Sequence, residues 1–104
     1  MSFNGNEGEF ITLEEGAAMT ASYRSSVQPG TVIGQFVGRE KLMQILNQPN
    51  CMGVRLYYGL NDKNENSIVA VGVDSNENDL TNGYIINDMA KCPPRCSKQN
   101  LLNS

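Results

Sequence analysis

Cys92 and Cys96 flank Pro93-Pro94-Arg95 in a chain of 104 residues that contains no histidine, and Cys51 is the one remaining thiol. Without imidazole the chain cannot form a Ser-His-Asp or Cys-His pair, a His-containing zinc site or a histidine pH switch. Thiol and carboxylate chemistry remain. Pro93 and Pro94 disfavour helix in the residues before them, so the motif begins extended. Pro94-Arg95 can then centre a β-turn that folds Cys96 back toward Cys92. Three states stay open for Cys51, Cys92 and Cys96. They can be reduced thiols, some buried as small hydrophobes. They can include a disulfide or redox pair; in the loop-entropy model Cys51–Cys92 would contribute about 4 kcal/mol and Cys92–Cys96 about 2 kcal/mol. Or the three can ligate zinc, the one cofactor the composition suggests, with a carboxylate, a water or a partner's group as fourth ligand.

The carboxylates offer less. Asp74, Asn76 and Asn78 match the first alternating ligands of a calcium loop, but Asp79 stands where glycine is needed and Ile85 where the bidentate glutamate belongs. The segment reads as a polar turn. Arg39 and Lys41 fall at a helix start, yet the spacing is not that of a phosphate loop, and Glu40 dilutes the field. No carboxylate pair sits in a context that would raise a pKa, so general acid–base catalysis has no candidate.

These residues must be positioned by a chain with one domain's length. Its net charge of −3 argues against nucleic acid, which requires a basic face. Glu7, Glu9, Glu14 and Glu15 are unopposed by a base in residues 1–16, and Lys91, Arg95 and Lys98 are unopposed by an acid in 91–98. The N-terminal residues lack the basic and apolar regions of a signal peptide, and no apolar run is long enough to span a bilayer. A cytoplasmic protein, with no membrane partner, is the expectation.

Residues 1–10 read as a flexible lead, 11–96 as a single α+β domain and 97–104 as a flexible tail. Thr12-Leu13-Glu14-Glu15 is a capping box opening a helix, with Leu13, Ala17 and Ala21 as its inward stripe. Pro29-Gly30 ends that region, and 31–37 should be extended. A second helix spans Arg39 to Asn47, with Leu42, Ile45 and Leu46 buried and Pro49 as its stop. From Met52 to Leu60 the residues alternate as a strand does, and Ser67 to Asp74 forms its hairpin partner. Making the apolar faces coincide pairs Leu60 with Ser67, Tyr58 with Val69, Leu56 with Val71 and Val54 with Val73. Tyr84-Ile85-Ile86 is a short third strand. If it lies beside the first strand, its end brings Cys92 to Cys51.

Phe36-Val37-Gly38-Arg39-Glu40, Gln48 through Gly59, Val71 through Asp79, and Cys92-Pro93-Pro94-Arg95-Cys96 together resemble a group of small bacterial single-domain proteins with the same order of motifs. The resemblance covers about residues 12–96. It implies a bacterial, single-domain protein and carries no activity, cofactor or site residue with it.

The expected architecture is two helices packed on one face of a small antiparallel sheet built around the hairpin. The other face then exposes Arg55, Tyr57, Ile68 and Ala70, which points to a non-enzymatic interaction or assembly module. Its partner would be a protein, such as a second copy forming a homodimer. The alternative is a zinc or redox site on Cys51, Cys92 and Cys96.

Overall fold

The capping box forms as its residue types require. In the computed structural model, which describes residues 2–104, Thr12 Oγ1 accepts from the Glu15 amide at 3.1 Å and Glu15 Oε1 accepts from the Thr12 amide at 3.0 Å. They open α1, Leu13–Ser25. Then follow β1 (Gly34–Phe36), α2 (Arg39–Leu46), β2 (Gly53–Tyr57), β3 (Val69–Val73), β4 (Ile85–Ile86) and β5 (Ala90–Cys92). The fold is α+β with two antiparallel sheets, ordered β2-β3-β4 and β1-β5. The chain divides into two units: the residues up to Gly8 with Val37–Met89, and Glu9–Phe36 with Ala90–Ser104.

The first unit holds the three-stranded sheet. Gly53 pairs with Val73, Leu56 with Ala70 and Tyr57 with Val69. This is one residue away from the expected register, so the buried set changes face. The turn chemistry supplies the reason. Asn61 Oδ1 accepts from the amides of Lys63 and Glu65 at 2.9 Å each, and Asn64 takes a positive φ of 60°. That makes a three-residue loop closed by Asn61 and Glu65, with Leu60 bridged to Asn66 rather than Ser67. The same turn recurs after β3. Asp74 Oδ1 accepts from Asn76 and Asn78, and Glu77 takes a φ of 69°. The polar-turn reading of this segment therefore holds.

Val54, Leu56, Ala70 and Gly72 consequently share the face toward α2. Ile45 is fully buried there with Ala70 and Met89, and Val37, Cys51, Val54, Ile68 and Ile86 pack around them. Ile45 of α2 and Cys51 beyond it come so close that a Cβ on Gly72 would lie 3.3 Å from Ile45 Cγ2 and 3.0 Å from Cys51 Sγ. Val71 and Val73, on the opposite face, are also buried. With both faces of β3 covered, its Val-Ala-Val-Gly-Val run is nearly continuous rather than alternating, and it gives no guide to register. Leu56, expected in the core, is 54% exposed and Tyr58 is 96% exposed.

The third strand pairs with β3, Ala70 with Ile86 and Val71 with Ile85, and not with the first strand of the hairpin. Before it, Leu80 donates to Gly72 O at 2.8 Å; the ladder then resumes four residues out of step, leaving 81–84 looped out. Gln48 closes that gap, accepting from the Tyr84 amide at 3.0 Å and donating to Ile45 O at 2.9 Å. The lead is held too, its Phe3 amide donating to Ser75 O at 2.9 Å.

In the second unit β1 falls inside the extended 31–37 segment, and β5, which the sequence reading did not anticipate, pairs with it. None of α1 is buried, and Leu13 is 50% exposed. Its half-buried residues are Gly16, Ala17, Thr20 and Arg24, not the expected Leu13-Ala17-Ala21 stripe. The C-terminal tail explains that displacement. Leu102 lies against Gly16, and the Arg24 guanidinium donates to Leu102 O at 2.6 Å and Ser104 O at 2.8 Å. Thus α2 contacts the sheet of the first unit, whereas α1, expected over that sheet as well, belongs to the second.

Candidate functional site

The free edge of β2 is the part of the first unit best suited to meet another chain. The Ser67 amide donates to Gly59 O, which makes Gly59–Ser67 a hydrogen-bonded pair in the hairpin ladder. Every second residue back from Gly59 then turns its backbone N–H and C=O toward β3. These are Tyr57, Arg55 and Gly53. Val54 and Leu56 turn theirs outward, where no described residue bonds to them. An open groove of about 410 Å³ is lined by Phe3, Gly5 and Glu7 together with Met52 to Leu56 and Val73. Leu56, Tyr58 and Leu60, the last 66% exposed, line the strand's continuation.

Behind the edge stands a polar cluster. The pairings put Arg55, Tyr57, Val71, Val73 and Asp79 on one face. Asp79 lies beyond β3 from β2, so the Arg55 and Tyr57 side chains cross β3 to reach it. Arg55 Nη1 donates to Asp79 Oδ1 at 2.5 Å and Tyr57 Oη donates to Asp79 Oδ2 at 2.5 Å. One carboxylate is thereby held through both oxygens. Val71, paired with Arg55 on this face, is 3% exposed, in keeping with the way long polar side chains shield an apolar surface. Arg55 also donates to Glu77 O, and its guanidinium lies 5.7 Å from the centre of the Phe3 ring, a cation–π geometry.

The cluster shifts its own titrations. The Tyr57 hydrogen bond first, and the Arg55 guanidinium with it, hold Asp79 below the usual carboxylate range. The hydrogen bond to Asp79 pushes the Tyr57 phenol up and likewise raises Arg55. Each group is thus fixed in its ordinary charge state at neutral pH. That suits a structural clamp; it gives no general acid or base.

Of the expected interaction surface, the structure keeps only a part. Ala70 is 2% exposed and Ile68 is partly buried against the core cluster, a direct consequence of the one-residue change in register. Arg55 and Tyr57 do lie on the face away from α2, but both are committed to Asp79. Asp79 and Phe3 were not anticipated. The signal for Asp79 was present in the repeated turn, since an Asx residue with its oxygen on the amides two and four residues ahead fixes where the returning chain begins.

The cysteines separate. Cys92 and Cys96 are joined as a disulfide with Cα atoms 4.7 Å apart, and Cys51 is a free, half-buried thiol in the first unit. Its S–H donates to Gly53 O at 3.2 Å. The third strand does not deliver Cys92 to Cys51, because it pairs with β3 and because Cys92 ends β5 in the second unit. Among the described residues no three Cys, Asp or Glu side chains are grouped to hold a metal, and no helix is long and apolar enough to cross a membrane.

The chain matches no family model, no curated protein and no solved structure.

Proposed function

We propose that this protein is a non-enzymatic assembly module that associates with a second copy of itself through the β2 edge. One observation carries the reading: the outward N–H and C=O groups of Val54 and Leu56 have no partner among the described residues, on a strand whose exposed Leu56 is followed by exposed Tyr58 and Leu60. Such an edge is a template for another strand. An antiparallel pairing of identical edges is self-complementary, as a two-fold dimer requires. Several registers use the outward groups, and two of them place Leu56 opposite the partner's Val54 or opposite itself. The first sets Arg55 against Arg55 of the partner subunit, placing like charges opposite each other. The other sets Leu56 against Leu56 of the partner subunit and Val54 against the partner's Tyr58. We favour the second, which pairs apolar side chains and continues the three-stranded sheet into one of six.

Sedimentation across nanomolar to high micromolar concentration tests the reading, with a dimer expected at the upper end. Leu56→Pro removes an N–H that the hairpin itself does not use, so it should yield a monomer with the strand ladder intact. Tyr58→Lys, at a 96% exposed side chain, should do the same without touching the backbone. A wild-type chain that stays monomeric at every concentration defeats the proposal. So does a dimer that both variants leave unchanged.

A further inference from the structure

The disulfide of the second unit is built asymmetrically. Cys92 is the last residue of β5: it pairs with Gly34, its carbonyl accepts from the Ile33 amide at 2.8 Å, and its side chain is half-buried. Cys96 lies past the strand end in a run, Pro93 to Ser104, that is exposed at every position but Asn103. Between them the Arg95 amide donates to Lys91 O at 2.8 Å, closing the turn that presents Cys96. One cysteine is anchored in a strand and the other lies in an exposed run.

Two further observations suit exchange better than cross-linking. The bond joins residues only four apart, so it closes a very short loop and restrains the unfolded chain little. The only charged residues from Ala90 to Ser104 are Lys91, Arg95 and Lys98, all cationic, and Arg95 is exposed next to Cys96. Positive charge there favours the approach of an attacking thiolate and steadies the thiolate that leaves.

From this geometry we infer that Cys92–Cys96 is a thiol–disulfide exchange site whose substrate is an exposed dithiol, Cys96 being the sulfur attacked. A substrate thiolate attacks Cys96 Sγ, forming a mixed disulfide and breaking the Cys92–Cys96 bond, and Cys92 departs as a thiolate. The substrate's second thiolate then attacks the substrate sulfur of that mixed disulfide, and Cys96 departs in turn. The dithiol is oxidised to a disulfide. Its two electrons and two protons end on Cys92 and Cys96, which become thiols. A substrate with acidic flanks fits the cationic surround.

The site shares no residue with the β2 edge, so either proposal can fail alone. The test uses the full oxidised chain under native conditions, reduced glutathione as probe, an alkylating quench and peptide mapping by mass. Mapping reports each cysteine separately, so Cys51 needs no substitution. The expected result is glutathione on Cys96 with Cys92 alkylated, in at least about tenfold excess over the reverse adduct, formed faster than the chain unfolds. Arg95→Glu should slow the reaction with this anionic thiol several-fold while leaving its rate with an uncharged thiol such as 2-mercaptoethanol within about twofold. Three results would overturn the inference: no adduct in the folded chain, adducts chiefly on Cys92, or a pair that does not oxidise in an oxidising glutathione buffer.

Discussion

In the first unit Ile45, Ala70 and Met89 are each less than a tenth exposed and share one cluster, and an eight-residue helix is enough to make it. In the second unit a helix of 13 residues has no buried residue at all. Beside Val32, the one buried apolar residue described in that unit, stand directed contacts: the capping box at Thr12, the Arg24 guanidinium on two tail carbonyls, the β1–β5 ribbon and the Cys92–Cys96 bond. Burial strength scales with the apolar area removed from water, whereas exposed polar contacts each contribute about 1 kcal/mol or less. The two units should therefore differ in how sharply they answer to a deleted side chain.

The largest contrast is expected at Ile45. Ile45→Ala empties a fully buried site and should destabilise by about 2–5 kcal/mol in urea unfolding. Leu13→Ala, at a half-exposed position of α1, should cost less than about 1 kcal/mol. Equal losses would show that α1 is buried in solution in a way the contrast denies.

A glycine pair sharpens the comparison by reversing sign. At Gly72 a methyl group would lie 2.9 Å from Gln48 Nε2, 3.0 Å from Cys51 Sγ and 3.3 Å from Ile45 Cγ2, so Gly72→Ala must displace the Gln48 amide and crowd Cys51 and Ile45. Overpacking of that kind should destabilise by about 1–3 kcal/mol. Gly16 lies inside α1, where the same methyl would meet Leu102 and Ile11 at 3.5 and 3.6 Å, ordinary contact distances. Gly16→Ala should then stabilise by about 0.5–1 kcal/mol through helix propensity. Thermal unfolding of both variants checks the pair, and a shared sign would break it.

The same contrast separates what could be read in the sequence from what could not. Local rules were enough for the capping box, for the bounds of α2 between Gly38 and Pro49, and for a polar turn after each strand of the hairpin. The register differs because the Asn61 turn closes on Glu65, because β3 is covered on both faces, and because Gly72, which looks like a gap in an apolar pattern, packs tightly under Gln48, Cys51 and Ile45. The helix stripe of α1 was misread for a related reason. Its neighbour is a tail distant in sequence, and Gly16 and Arg24 carry no apolar signal. The cysteine motif gave its convergence but not its anchor, since β5 is defined only by its pairing with β1.

The smallest expected effect concerns pH and tests whether the Arg55–Tyr57–Asp79 cluster is a clamp. Asp79 titrates below its ordinary value in the folded chain, first through the Tyr57 hydroxyl and then through Arg55. Its contribution is therefore complete above the unfolded value of about 3.9 and fades as pH falls from there through the lower folded value. Tyr57 is shifted the other way, upward, by its bond to Asp79. Its contribution is complete below the unfolded value of about 10 and is lost as pH rises through the higher folded one. The stability difference between wild type and Asp79→Asn should accordingly be flat through the neutral range and shrink toward acid. The difference between wild type and Tyr57→Phe should shrink toward alkali. Urea midpoints for the three proteins, collected from acid to alkaline pH, supply the measurement. Differences that stay constant across the whole range would mean that the three side chains hold one another no better in the folded chain than in the unfolded one, and the cover over Val71 would need another explanation.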